Sequence, residues 1–191
     1  LKMKTEGMPE LQKHITPIME SAEKAADFVR KMMLYTKESP YRRERFSLDE
    51  FLDDFIFILK TPDKVHLHYE RQHTPMPVLA DRQSLAEALS QIVKNSLDAM
   101  PEGGDLFITS EVENIKARPF AVIKIRDTGQ GIPPELIDRV YEPFFTTKDV
   151  GKGTGLGLCL AKGVIESLGG EITISSTPGR GTEVTVRLPL V

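Results

Sequence analysis

Between Leu11 and Thr36 the residues Leu11, Ile15, Ile18, Ala22, Ala25, Val29, Met32 and Thr36 recur alternately four and three positions apart, which is the a/d seam of a heptad pattern. That spacing predicts a helix from about Glu10 to Glu38 with one apolar stripe. Its other faces carry Lys13, Glu20, Glu23, Lys24, Asp27, Arg30 and Lys31, so the stripe has to be buried against partner helices. At ~1.5–3 kcal/mol per large buried side chain, a bundle is favoured over an isolated helix. Pro17 inside the pattern predicts a kink or an irregular first turn, and Ser39-Pro40 closes the helix. Tyr41 to Arg45 reads as a charged joint, and the domain boundary is placed there because the heptad rhythm then stops.

Beyond the joint, helix and strand signals interleave. Ser47-Leu48-Asp49-Glu50 reads as a capping box that opens a helix to about Lys60. Val65, Leu67 and Tyr69 alternate with polar residues as a strand, and Pro77 to Ala80 reads as a second short one. Asp81 caps a helix that runs to about Met100, where Pro101-Glu102-Gly103-Gly104 turns the chain into a hairpin of strands, Asp105 to Glu113 and Phe120 to Asp127. Pro133 and Pro134 open a short helix to about Tyr141, and a further helix spans roughly Leu156 to Leu168. Strands at Glu171 to Ser176 and Glu183 to Leu188 end the chain. Strand pairs interleaved with helices, without a regular βαβ alternation, predict an α+β fold: a two-layer sandwich in which a mixed sheet is covered by helices on one face. The 191 residues suffice for one domain of ~100–150 residues with a smaller element.

Four segments carry candidate chemistry. On the helix after Asp81, Leu85, Leu89, Ile92 and Met100 share one face, while Glu87, Gln91, Asn95 and Asp98 form a polar stripe. Such a stripe is ordinarily a solvated face, but Asn is a poor mid-helix residue and its carboxamide oxygen suits Mg²⁺ where water and phosphate supply most ligands. In Ala121 to Asp127 the odd positions are apolar and end on Asp127, which aims a carboxylate at the core. The following Thr128-Gly129-Gln130-Gly131-Ile132-Pro133 lets the backbone approach a flat ligand closely. A carboxylate there accepts a hydrogen bond from the exocyclic amine of adenine, whereas guanine presents a carbonyl oxygen. Gly151-Lys152-Gly153-Thr154-Gly155-Leu156-Gly157 leads into a helix, so free amide N–H groups converge where a phosphate can sit. Before it, the paired aromatics of Glu142-Pro143-Phe144-Phe145-Thr146-Thr147-Lys148 suit the anchor of a mobile lid, with Lys148 and Lys152 supplying positive charge.

Taken in order, these segments resemble the N, first glycine, F and second glycine boxes of the sensor histidine kinase family, within the superfamily of gyrase, Hsp90, histidine kinases and mismatch-repair ATPases. The resemblance covers residues 45–191 and implies a Bergerat-type catalytic ATP-binding domain, preceded over residues 1–40 by the incomplete second helix of a dimerisation and phosphotransfer hairpin. It implies ATP and Mg²⁺ as cofactors, with Mg²⁺ on Asn95. ATP contacts are implied at Asn95, Asp98, Asp127, Gly129, Gly131, Ile132, Phe144, Thr147, Lys148, Gly153, Thr154, Gly155, Leu156, Gly157 and Thr182, the last preceding the final strand. The catalytic set is then Asn95, Gln91, Lys148 and Lys152. Expected partners are a second copy through the hairpin and a response regulator receiver domain. Where gyrase-like relatives use a Glu four residues before the Asn, this chain has Gln91, an amide that cannot take a proton from water; many histidine kinases have Asn there. His14-Ile15-Thr16-Pro17 superficially resembles the family's H box but lacks its acidic neighbour and carries Thr-Pro two residues early, so the phosphoacceptor is expected upstream of Leu1.

The alternatives are a gyrase-type or mismatch-repair-type ATPase switch without phosphotransfer, an anti-sigma-type serine kinase, or a nucleotide-binding module without transfer activity. A net charge of −3 removes nucleic-acid binding through bulk basic charge. No apolar run reaches the ~20 residues of a membrane span, so membrane attachment is expected only through segments outside this chain, which opens on Leu1. Cys159, the single cysteine, reads as core packing and fits a reducing cytoplasm, as in the cytoplasmic part of a membrane-bound sensor.

Overall fold

The computed structural model describes Ile15, Met19 and residues 43–72, 74–115, 117–148 and 153–191. The chain forms two compact units, Leu1–Ser39 and Pro40–Val191. In the first, Ile15 and Met19 are helical and half-buried. The rest of the expected heptad helix, with Pro17 and His14, lies outside the described residues, as do Tyr41, His73 and Lys152.

In the second unit, β1 (Glu44–Ser47) pairs antiparallel with β3 (Pro77–Ala80). Glu44 and Arg45, read from sequence as part of a charged joint, are therefore strand residues; the strand's only buried side chain is Phe46, too little for a period to register. α1 (Leu48–Ile58) follows directly, and the expected capping box is not formed. Ser47 makes no side-chain cap, and the Leu48 N–H is instead taken by the Met76 carbonyl at 2.9 Å. β2 (Val65–Arg71) runs parallel to β4 (Gly104–Ile115), which forms a hairpin with β5 (Arg118–Asp127). α2 (Arg82–Asp98) begins at Asp81, whose carboxylate accepts the Ser84 N–H at 2.7 Å, the N-cap bond that its sequence position predicts. The short helix expected after Pro133 is a 3₁₀ helix, Pro134–Arg139. α3 (Gly157–Ser167), β6 (Glu171–Thr177) and β7 (Gly181–Pro189) complete the unit.

The five-stranded sheet has the order β2-β4-β5-β7-β6, mixed because β2 and β4 alone run parallel. Strand alternation sends Leu106, Ile108, Ile123, Ile125, Val184 and Val186 to one face, where they pack with Leu85, Leu89 and Ile92 of α2 and Ala161 and Ile165 of α3. The opposite face carries charge pairs such as Lys124 with Glu111 and Arg187 with Glu171. Helices thus cover one face only, as expected for a two-layer α+β sandwich. Cys159 is buried in α3 and burial pushes its thiol up, consistent with packing rather than reactivity. Among the described residues no helix is long and apolar enough to cross a membrane.

Candidate nucleotide-binding site

The inward series of β5 ends on Asp127, whose side chain is only 3% exposed. Its Oδ1 accepts the Gly129 N–H at 2.9 Å and the Thr182 N–H at 3.2 Å, and the buried Ser96 of α2 lies close enough to the same carboxylate to favour its charged form. Burial pushes the Asp127 acid up from its ordinary value, while the bonds from Gly129, Ser96 and Thr182 pull it back. A carboxylate offers about four lone-pair sites; the two backbone bonds both fall on Oδ1, so acceptor positions remain for a ligand donor.

The loop after Asp127 folds back over the strand end because its glycines allow contacts that a Cβ would forbid. A Cβ on Gly129 would lie 2.5 Å from the Ala99 carbonyl oxygen, and one on Gly131, where φ is +71°, 2.2 Å from that of Thr177. Gln130 donates to Ala99 O at 3.1 Å and accepts from Gly179 N at 2.8 Å, while Ile132 N–H donates to Ser176 Oγ at 2.8 Å. The loop is therefore strapped between the end of α2 and the β6–β7 turn.

On α2, Gln91, Asn95 and Asp98 face away from the buried Leu85, Leu89 and Ile92. Lys148 reaches them from the loop: its Nζ lies 2.6 Å from Asp98 Oδ2 and 3.4 Å from Asn95 Oδ1. α3 starts against the same face, since a Cβ on Gly157 would stand 3.1 Å from Gln91 Oε1 and 3.7 Å from Asn95 Nδ2. No side chain caps this helix start, although the Thr154 hydroxyl accepts the Leu156 N–H at 3.4 Å. Leu156 is buried.

The stretch from Phe144 to Gly155 is closed at its base by a backbone bond, Phe144 N–H to Gly155 O at 2.9 Å. Both residues have positive φ, +69° and +64°. Gly155 is needed there because a Cβ would lie 2.3 Å from the Phe144 carbonyl carbon. Phe144 is 58% exposed, and the Phe145 ring packs under Arg139, whose guanidinium carbon is 4.3 Å from its centre. Gly153 sits against the Thr146 hydroxyl and Lys148, and Thr147 is exposed beside them. Lys152 lies outside the described residues.

The structure thus gathers Asp127, Gly129, Gly131, Ile132 and Thr182 at one end of α2, and Gln91, Asn95, Asp98, Lys148 and Gly157 along its polar face. Asn95 Oδ1 already faces a cation, the Lys148 ammonium, and Asp98 adds a carboxylate beside it. Among the described residues no cluster of three or more His, Cys, Asp or Glu forms a metal cage. That sparse oxygen set fits Mg²⁺, which keeps waters and shares substrate phosphates rather than entering an all-protein shell. Ser96 and Ser176 were missed from sequence: a buried Ser beside an Asn, or one in Ser175-Ser176-Thr177, has no pattern separating it from ordinary polar residues.

Residues 80–191, more than half of the chain, match the model of the histidine kinase-, DNA gyrase B- and HSP90-like ATPases. The chain belongs to that family. Sensor kinase CckA of Brucella abortus is 34% identical over 190 residues, covering 92% of this chain and 20% of that protein. Sporulation kinase D of Bacillus subtilis is 32% identical over 184 residues, covering 94% and 35%. Among solved structures, histidine kinase ThkA in complex with response regulator protein TrrA superposes with a TM-score of 0.72 at 25% identity, covering 95% of this chain and 52% of that one. Within the ATPase family the chain is thus a sensor histidine kinase catalytic ATP-binding domain, and it spans 20% to 35% of the length of the two curated relatives.

Proposed function

We propose that this chain binds Mg·ATP and transfers the γ-phosphate to a histidine on a dimerising helical hairpin, for passage to a response regulator aspartate. One observation carries the reading: adjacent residues of α2 serve the two ends of the nucleotide. Ser96 lies beside the Asp127 carboxylate, where the adenine amine would be read, while Asn95 faces Lys148, Gln91 and the start of α3, where the phosphates would lie. With about 1.5 Å rise per residue, α2 fixes the base and phosphate ends against each other.

In this assignment Asn95 holds Mg²⁺, which neutralises developing phosphate charge when bound. Lys148 and Lys152 attract the γ-phosphate, and the amides of Gly153 to Gly157 orient it. The imidazole nitrogen forms the N–P bond as the bridging P–O bond breaks, and ADP leaves with that electron pair. Gln91 cannot act as a base towards water, which favours transfer over hydrolysis. The Phe144–Gly155 clasp serves as the base of a lid over the triphosphate. The kinase acts as a homodimer through the hairpin, in the cytoplasm, with the acceptor histidine upstream of Leu1 rather than at His14. The kinase relatives support this reading, and so does the complex of ThkA with response regulator protein TrrA.

Incubating the full-length protein with γ-labelled ATP tests the reading. An acid-labile, alkali-stable phosphoprotein is expected; steady phosphate release without phosphohistidine would instead select a gyrase-like switch.

A further inference from the structure

Ser176 and Thr182 are cross-strand partners on the helix-covered face of β6 and β7, with their hydroxyl oxygens 2.9 Å apart. Ser176 Oγ makes two further bonds. It accepts the Ile132 N–H at 2.8 Å and donates to the Gly181 carbonyl at 2.9 Å. A serine hydroxyl has a single proton, and a carbonyl cannot donate. The Gly181 bond therefore uses the Ser176 proton, and all three bonds form together only if Thr182 is the donor in the bond between the hydroxyls. The Thr182 proton is then committed to Ser176, and the lone pairs of Thr182 Oγ1 are left as acceptors.

Thr182 is 9% exposed and its backbone N–H is bonded to Asp127 Oδ1 at 3.2 Å. The carboxylate and the threonine oxygen are thus neighbours, and both present only acceptors. We propose that Ser176 is a specificity-determining positioning residue: by fixing the Thr182 hydroxyl as an acceptor, it makes the site favour a base edge that carries a 6-amino donor and reject a 6-oxo base. This rests on the assignment of the adenine to Asp127. With Ser176 removed, the Thr182 rotor is free to turn its proton outward and donate to a 6-oxo group, so the rejection weakens.

The test measures ATP and ITP affinities of this chain by calorimetry, because ITP presents a 6-oxo acceptor beside an N1–H donor where ATP presents a 6-amine donor beside an N1 acceptor. In Ser176→Ala the ratio of the ITP Kd to the ATP Kd is expected to fall about three- to tenfold, the range for one neutral hydrogen bond, while Ser176→Thr keeps the wild-type ratio. Ser176→Cys, which retains the volume without a strong acceptor, runs alongside in case the alanine variant does not fold, and the same fall is expected. A purely structural role for Ser176 would weaken both nucleotides equally, and an unchanged ratio in the folded variants overturns the proposal. Wild-type chain that binds neither nucleotide would overturn the nucleotide assignment itself, whereas ATP binding with an unchanged ratio overturns only the role of Ser176.

Discussion

Lys148 Nζ lies 2.6 Å from Asp98 Oδ2 across fifty positions of sequence, and the two side chains are 34% and 38% exposed. An ion pair so open to solvent is worth ~0–1 kcal/mol. Stability therefore does not explain why the loop delivers a lysine to this face of α2, beside Asn95. Lys148→Ala is expected to leave the melting temperature nearly unchanged. Its Mg·ATP affinity should fall roughly 10- to 150-fold, the range for a bond to a charged group. Calorimetric titration beside a thermal melt separates the two effects; a large loss of stability with intact binding would make Lys148 a structural residue.

Asp127 gives a prediction in which stability and binding move in opposite directions. Desolvation raises its folded-state pKa above the ordinary 3.8, so the folded protein binds the proton more tightly than the unfolded chain does. The contribution of Asp127 to stability is then fully present below about pH 3.8 and is lost as pH rises through the raised folded value. At pH 7 the charge is a net cost, and Asp127→Asn, which keeps a carbonyl acceptor for Gly129 and Thr182, should be as stable as the wild type or more so. ATP affinity should drop roughly 10- to 150-fold. A melt and a titration on the same variant check this, and a destabilised Asp127→Asn that still binds ATP normally would remove Asp127 from base recognition.

Two glycines of the β6–β7 turn separate backbone strain from collision. Both have positive φ, but a Cβ on Gly179 meets nothing within 4 Å, whereas one on Gly181 would stand 1.9 Å from the Asp127 carbonyl oxygen. Gly179→Ala should cost only the left-handed penalty, ~1–2 kcal/mol. Gly181→Ala has to move the end of β5 as well, so a larger loss of stability and weaker ATP binding are expected. Equal melting temperatures for the two variants would show that β5 yields at no cost.

Legibility in the sequence followed the range of the interaction. The alternation from Ala121 to Asp127 and the cap at Asp81 were legible because period and local hydrogen bonding act within a few residues. The parallel pairing of β2 with β4 was not, since it joins segments some forty residues apart with nothing in either to name the other. Ser47 looked like a cap because its neighbours match the motif, yet the N–H that follows it is satisfied by Met76, almost thirty residues away. At the site, Asp127 and Asn95 could be found because a carboxylate ending an apolar series and an Asn within a helix both break a local rule. Ser96 and Ser176 break none. Their role appears only once Asp127 and Thr182 are beside them.

Asn95 and Asp127 should separate by ligand. Asn95 lies with Lys148 and the start of α3, where the phosphates are proposed to sit, so Asn95→Ala is expected to weaken Mg·ATP binding at least tenfold and leave adenosine binding within about twofold, with EDTA reducing wild-type ATP affinity towards the variant's. Asp127→Ala should weaken both ligands alike. Equal losses of ATP and adenosine in Asn95→Ala would mean that α2 has been disturbed.

Gln91 provides the sharpest separation between transfer and hydrolysis. Its Oε1 lies closest to where a Gly157 Cβ would stand, at the start of α3, where the terminal phosphate is proposed to lie, and an amide there lacks the basicity to deprotonate water. Gln91→Glu changes few atoms and supplies that base. In the full-length protein the variant should release phosphate from ATP faster than the wild type while accumulating less phosphohistidine, because water then competes with the imidazole for the same γ-phosphorus. General-base assistance contributes ~10²-fold or more where geometry is good, and even a tenfold rise in release would be measurable over a slow background. If Gln91→Glu leaves both phosphate release and phosphohistidine unchanged while ATP affinity is retained, Gln91 does not face the reacting phosphate and the catalytic set shrinks to Asn95 and the lysines.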